Sequence, residues 1–62
     1  MQFSIRELRA RFGWTQAETA KKIGISTTAY NSWEKDISNI KAKNLIRLSE
    51  VFCVPVNEIK ID

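Results

Sequence analysis

Two short amphipathic segments of this chain are separated by only three residues, Gly24-Ile25-Ser26, and that spacing restricts how they can pack. The first opens on Thr15-Gln16-Ala17-Glu18. This is a capping box, in which the hydroxyl accepts from a backbone amide and the glutamate reaches back. The segment carries Ala17, Ala20 and Ile23 on its expected inner side and stops at Gly24, which takes the left-handed conformation without steric penalty. The second begins after Ser26, a further N-cap, and carries Ala29, Tyr30 and Trp33. So tight a connection leaves no room for antiparallel pairing, and the two helices must cross steeply. A steep crossing needs a small side chain where the axes approach, and Ala20 supplies it. Ile25, Tyr30 and Trp33 are the apolar anchors expected to hold the second helix on the first. Its opposite side, Thr27, Thr28, Asn31 and Ser32, is polar, short and uncharged.

The flanking sequence reads as further helix. Ser4-Ile5-Arg6-Glu7 is another capping box; Ile5, Leu8 and Phe12 then fall on one face, and Gly13 ends the segment. Residues 35–41 are polar and read as a loop. An amphipathic helix over 42–52 is expected to bury Leu45, Leu48 and Phe52. Pro55 fits the first turn of a last short helix, where a missing amide donor is harmless, with Val56 and Ile59 packed back on the core. No β-branched alternation appears. The expectation is an all-α chain of five helices forming one domain over residues 1–62.

Composition narrows the function classes. At 62 residues with 44% hydrophobic side chains, the chain carries enough apolar surface for one compact core. A single cysteine, Cys53, forbids an internal disulfide, and no histidine is present. Those two facts leave no metal site of recognisable spacing and no nucleophile–base pair, so neither enzymatic activity nor a cofactor is expected. No apolar run approaches the length of a membrane span and the N-terminal residues do not read as a signal-peptide core, which points to the cytoplasm. No small-molecule pocket is evident. The net charge of +3 suits nucleic-acid binding but also many inert domains.

An ordered series of motifs runs through the chain. It comprises Ile5-Arg6-Glu7-Leu8-Arg9, Trp14-Thr15-Gln16-Ala17-Glu18, the stretch from Ala20 to Ile25, Trp33-Glu34, Leu45-Ile46-Arg47-Leu48 and Val54-Pro55-Val56-Asn57-Glu58-Ile59. The series resembles the phage repressor/Cro-type (XRE-like) helix-turn-helix family over nearly the whole chain. The resemblance implies a compact five-helix lambda-repressor-like domain, with the helix-turn-helix at helices two and three. It further implies a regulator, most simply a repressor, that binds double-stranded DNA as a dimer on a near-palindromic operator. Base contacts are then implied for Thr27, Thr28, Asn31 and Ser32, and phosphate contacts for Gln16, Ser26, Lys35, Lys41 and Lys43. Arg9 and Glu34 match a pair that forms an internal salt bridge in related repressors. Three positions depart from the family pattern: Thr19 replaces the usual leucine, Lys35-Asp36 replaces a glycine-containing turn, and Cys53 stands where glycine often ends the fourth helix. A non-glycine residue is therefore expected in the left-handed region at position 53.

Other residues have plainer readings. Tyr30 and Trp33 are expected to pack inward instead of stacking on bases. Trp14 either covers the core or sends its indole N–H to a phosphate. Lys21 and Lys22 read as solvated, and Arg6, Arg11, Arg47 and Lys60 as ordinary surface charges. Val51, Val54, Ile59 and Ile61 exceed what one small core needs and mark a dimer surface. The same sequence also suits the helix-turn-helix module of an antitoxin, a restriction controller or a larger repressor. A domain of this type turned to protein–protein contact is the remaining alternative.

Overall fold

Three hydroxyl caps start three helices. In the computed structural model, which describes residues 1–61, α1 spans Ile5–Phe12, α2 Gln16–Ile23, α3 Thr27–Lys35 and α4 Ala42–Phe52. Both capping boxes close reciprocally: Ser4 Oγ accepts from the Glu7 amide at 3.1 Å while Glu7 accepts from the Ser4 amide at 2.9 Å, and Thr15 and Glu18 repeat the exchange. Each box satisfies amides that a helix start otherwise leaves unpaired. Gly13 and Gly24 end α1 and α2 at φ of 70° and 92°.

The expected fifth helix is a single 3-10 turn, Val56–Glu58, with Pro55 in extended conformation before it instead of inside it. Pairing between the chain ends explains the shortening. Ile59 leaves the turn extended, at φ −92° and ψ 121°, and forms an isolated parallel bridge with Phe3. Phe3 donates to the Glu58 carbonyl at 2.7 Å, and Lys60 donates to that of Phe3 at 2.8 Å. The two ends of the described chain are thus zipped together, and a longer helix would have carried Ile59 away from its partner. No strand forms among the described residues.

The buried core comprises Ile5, Leu8, Ala20, Ile23, Tyr30, Leu48, Phe52 and Ile59. Every helix contributes, so none can detach without exposing the others' apolar faces. Ala20, 1% exposed, sits in the core on α2, which packs against both α3 and α4. Three residues expected to pack inward, Ala17, Phe12 and Val56, are instead exposed. Ala17 is exposed and Thr19 is fully buried; Ala17 lies about 100° around the helix from Gln16, off the face that Ala20 and Ile23 define. The buried Thr19 hydroxyl is satisfied by the Thr15 carbonyl at 2.9 Å, a bond that keeps a polar group tolerable in the core. Phe12, at the end of α1, projects past the core and is 44% exposed, stacking on Trp14 with centroids 4.2 Å apart. Ile59 is buried, which removes it from the expected dimer surface, and Val56 is 38% exposed.

Trp14 takes the core-covering alternative, half-buried in a cluster of three stacked rings with Phe12 and Phe52. Three cations expected to be ordinary or solvated have partners: Lys22 lies over the Trp14 ring, Arg11 lies over the Phe3 ring, and Arg47 donates to the Ile23 carbonyl at the end of α2. The last of these satisfies a carbonyl the helix terminus leaves free. In the polar segment after α3, Asp36 accepts from the Ser38 amide and hydroxyl, while Ile37 and Ile40 are half-buried against the core. Those two isoleucines anchor a loop that is otherwise hydrophilic.

Cys53 ends α4 at φ 55°, the one non-glycine residue in the left-handed region among the described residues. An L side chain there carries a penalty of roughly 1–2 kcal/mol that glycine avoids. Glycine loses more backbone entropy on folding, which offsets part of the gain. Cys53→Gly is therefore expected to stabilise the fold by about 0.5–1 kcal/mol, seen as a raised urea midpoint at unchanged slope. A lowered midpoint would show that the thiol contributes packing that outweighs the strain.

Candidate functional site

The outer face of α3 carries Thr27, Thr28 and Ser32, all exposed, on a helix whose inner face is pinned by the fully buried Tyr30 and the half-buried Trp33. Ser26 caps it, its Oγ accepting from the Ala29 amide at 3.1 Å, which leaves the hydroxyl proton available to another acceptor. The Ser32 hydroxyl donates to the Thr28 carbonyl at 3.1 Å and folds back along the helix. The exposed face therefore combines small hydroxyls and a threonine methyl with no charge until Lys35 at its end.

Behind this face lies a polar network joining α1, α2 and α3. Arg9 Nε donates to Glu34 Oε2 at 2.6 Å, its Nη2 reaches Glu34 Oε1 at 3.3 Å, and its Nη1 donates to the Trp14 carbonyl at 2.9 Å. Gln16 Nε2 donates to Glu34 Oε1 at 3.0 Å, and Asn31 Nδ2 donates to Gln16 Oε1 at 2.9 Å. The side chains of Arg9 and Glu34 are 19% and 7% exposed, so this pair is more shielded from water than a surface salt bridge. The Tyr30 hydroxyl is buried beside the pair but makes no hydrogen bond of acceptable geometry. Burial is the main reason its pKa is raised, with the adjacent Glu34 carboxylate adding to the effect.

The residues named from the sequence thus fall into three places. Thr27, Thr28 and Ser32 share the outer face of α3, with Ser26 exposed at its start and Lys35 exposed at its end. Lys41 and Lys43 are exposed at the start of α4, where Lys41 is the N-cap residue without a side-chain cap. Gln16 and Asn31 sit inside the network, both half-buried, with Arg9 and Glu34. A surface cleft lined by Arg6, Arg9, Gln16, Asn31, Glu34 and Lys35 opens beside them. Sequence reasoning missed the bond between Asn31 and Gln16 and the place of Arg6 on the cleft. No periodicity could reveal either, because the partners lie on different helices.

Burial pushes the Glu34 carboxyl up, but the hydrogen bonds it accepts and the neighbouring Arg9 charge outweigh that and hold it below its ordinary value. The Ser4 amide and hydroxyl likewise hold Glu7 down, and those of Thr15 hold Glu18 down. A carboxyl whose folded pKa is depressed adds stability that is complete above its unfolded value and is lost as pH falls through the folded one. Folding free energy is therefore expected to be level between the ordinary carboxyl value of 4.5 and the ordinary tyrosine value of 10.0, and to decline below the first. Glu34→Gln should lower the neutral-pH plateau by about 1–3 kcal/mol, since Arg9 loses its charged acceptor, and should make the acid decline shallower. Urea unfolding at a series of pH values checks both; an unchanged acid slope would remove Glu34 from the account.

The chain matches a family described as helix-turn-helix over residues 5–59. It is 33% identical over 61 residues to an uncharacterized HTH-type transcriptional regulator of Archaeoglobus fulgidus, covering 98% of this chain and 87% of the relative. No solved structure matches it with significance. The stretch matched runs from the start of α1 through the Ile59 that closes the core, and within it Gly24-Ile25-Ser26 joins α2 to α3; the chain belongs to the Cro/repressor-type helix-turn-helix family.

Proposed function

We propose that this protein is a transcriptional regulator that binds double-stranded DNA in a sequence-specific manner, with α3 lying in the major groove. The observation that carries the reading is the exposed, uncharged hydroxyl face of Thr27, Thr28 and Ser32 on a helix held rigidly from behind. Hydroxyl groups donate to or accept from base edges, and the threonine methyl suits the methyl of thymine. Membership of the helix-turn-helix family and the name of the archaeal relative support the same reading.

Positioning on the backbone falls to the flanks. At the start of α4 the Lys41 carbonyl accepts from the Asn44 and Leu45 amides, while the amides of Ala42 and Lys43 remain for an external acceptor. With Lys41 and Lys43 beside them, these amides suit a phosphate. Ser26, Lys35 and the Gln16 amide provide the corresponding donors on the other side of α3. Base readers at the centre and phosphate donors on both flanks is the division of labour that sequence-specific recognition needs.

One α3 spans too few base pairs for selectivity, so the active form is a dimer on a near-palindromic operator, with half-sites about 34 Å apart. Ile46, Val56 and Ile61 are exposed and available to such a contact, whereas Val51 and Val54, named for it from the sequence, are half-buried against the core. Repression follows from occupancy of the operator.

Selection of bound sequences from a random duplex pool tests this directly: an enriched inverted repeat is expected, and no enrichment would overturn the reading. On the selected site, Thr28→Ala should cost about 1–3 kcal/mol and relax preference at one position. Lys43→Ala should instead weaken binding to all sequences alike and reduce the salt slope by about 1. A Lys43→Ala effect confined to one sequence would reassign that residue.

A further inference from the structure

We infer that Asn31 is a positioning residue whose side-chain amide fixes the orientation of the Gln16 amide, so that Gln16 presents an N–H group to a DNA phosphate. This deepens the DNA-binding reading and rests on it.

The inference starts from charge. Glu34 is paired with Arg9 and held ionised, so its oxygens can only accept hydrogen bonds. The Gln16 atom facing Glu34 Oε1 at 3.0 Å must therefore be the NH2 nitrogen. That places the Gln16 carbonyl oxygen toward Asn31, and the Asn31 atom 2.9 Å from it must in turn be a donor. One acceptor-only carboxylate thus sets the polarity of two amides in succession. An amide nitrogen carries two hydrogens; Glu34 takes one, and the second N–H of Gln16 remains beside the cleft that Arg6 and Lys35 also line.

Without Asn31, Gln16 keeps only its Glu34 contact, so one hydrogen bond instead of two holds its amide and rotation about the preceding bonds is less opposed. The donor is then not pre-organised, and binding must immobilise it. Asn31 is half-buried, and its amide nitrogen is committed to Gln16, whereas Thr27, Thr28 and Ser32 are exposed on the outer face. The same bond ties α3 to the first residue of α2, so that helix placement and phosphate donor share one fixed geometry.

The test is a double-mutant cycle on the DNA site selected by the wild-type protein, joined to amide NMR of the free protein. Asn31→Ala should weaken binding about 2- to 10-fold, the range of one lost hydrogen bond, equally on selected and unrelated duplexes. In a Gln16→Ala background the same substitution should have no further effect. In the free protein, Asn31→Ala should move the Gln16 side-chain amide resonances toward those of a free glutamine side chain and speed their exchange with water. An altered selected sequence in Asn31→Ala would show that Asn31 reads a base, and an undiminished loss in the Gln16→Ala background would show that it acts independently; either overturns the inference. Gln16 amide resonances unmoved by Asn31→Ala overturn it without reference to DNA. Failure of the wild-type protein to select any sequence would instead sink the DNA-binding reading, and the NMR result would still decide whether Asn31 orients Gln16. Unfolding midpoints of all variants separate these effects from loss of fold.

Discussion

The ion pair between Arg9 and Glu34 is the interaction on which the arrangement of the first three helices depends. Arg9 comes from the middle of α1 and Glu34 from the last turn of α3, and the same guanidinium reaches the Trp14 carbonyl between α1 and α2. A guanidinium with several fixed donors can satisfy a carboxylate and a backbone carbonyl at once, which lysine in its place could not do with the same geometry. Because Glu34 remains charged and can only accept, it sets which end of the Gln16 amide faces it, and the Asn31 amide holds the other end. Electrostatics at one buried pair therefore propagates as orientation through neutral groups. Leaving either charge without its partner is costly, which makes the pair a strong determinant of geometry even where its net contribution to stability is modest.

Apolar packing and the polar network divide the work of holding α3. Tyr30 and Trp33 press the helix onto the core, with Ala20 buried on the α2 side of the junction. Hydrophobic contact is non-directional and tolerates small rotations of a helix about its axis. Hydrogen bonds with defined donors and acceptors do not, so the rotation of α3 is set by Asn31 and Glu34. That rotation decides whether Thr27, Thr28 and Ser32 face outward together. The proposed contact with base edges needs such definition, since a shift of an ångström breaks a hydrogen bond.

Where sequence reasoning succeeded, it worked on local physics. The caps at Ser4, Thr15 and Ser26 and the left-handed stops at Gly13, Gly24 and Cys53 depend on a few neighbouring atoms, and residue type reveals them. Where it fell short, the deciding partner lay far away in the chain. Ala17 shares the spacing of Ala20 and Ile23 yet is exposed, and Phe12 shares the periodicity of Ile5 and Leu8 yet is itself 44% exposed. Arg11, Lys22 and Arg47 read as solvated charges because their aromatic or carbonyl partners are not neighbours in sequence. The isoleucines at 37 and 40 sit within a hydrophilic stretch that conceals their packing.

Taken alone, the sequence determined where the four α-helices start, the three-residue connection between α2 and α3, and the uncharged outer face of α3. Each follows from backbone sterics, capping chemistry and the 3.6-residue period, which act over a single turn. Only the tertiary structure decided that the chain closes on itself through Phe3 and Ile59, that the expected last helix shrinks to a 3-10 turn to permit this, and that Asn31 faces Gln16. Those outcomes depend on the relative placement of whole elements, which the joint burial of the core sets and which no local pattern encodes.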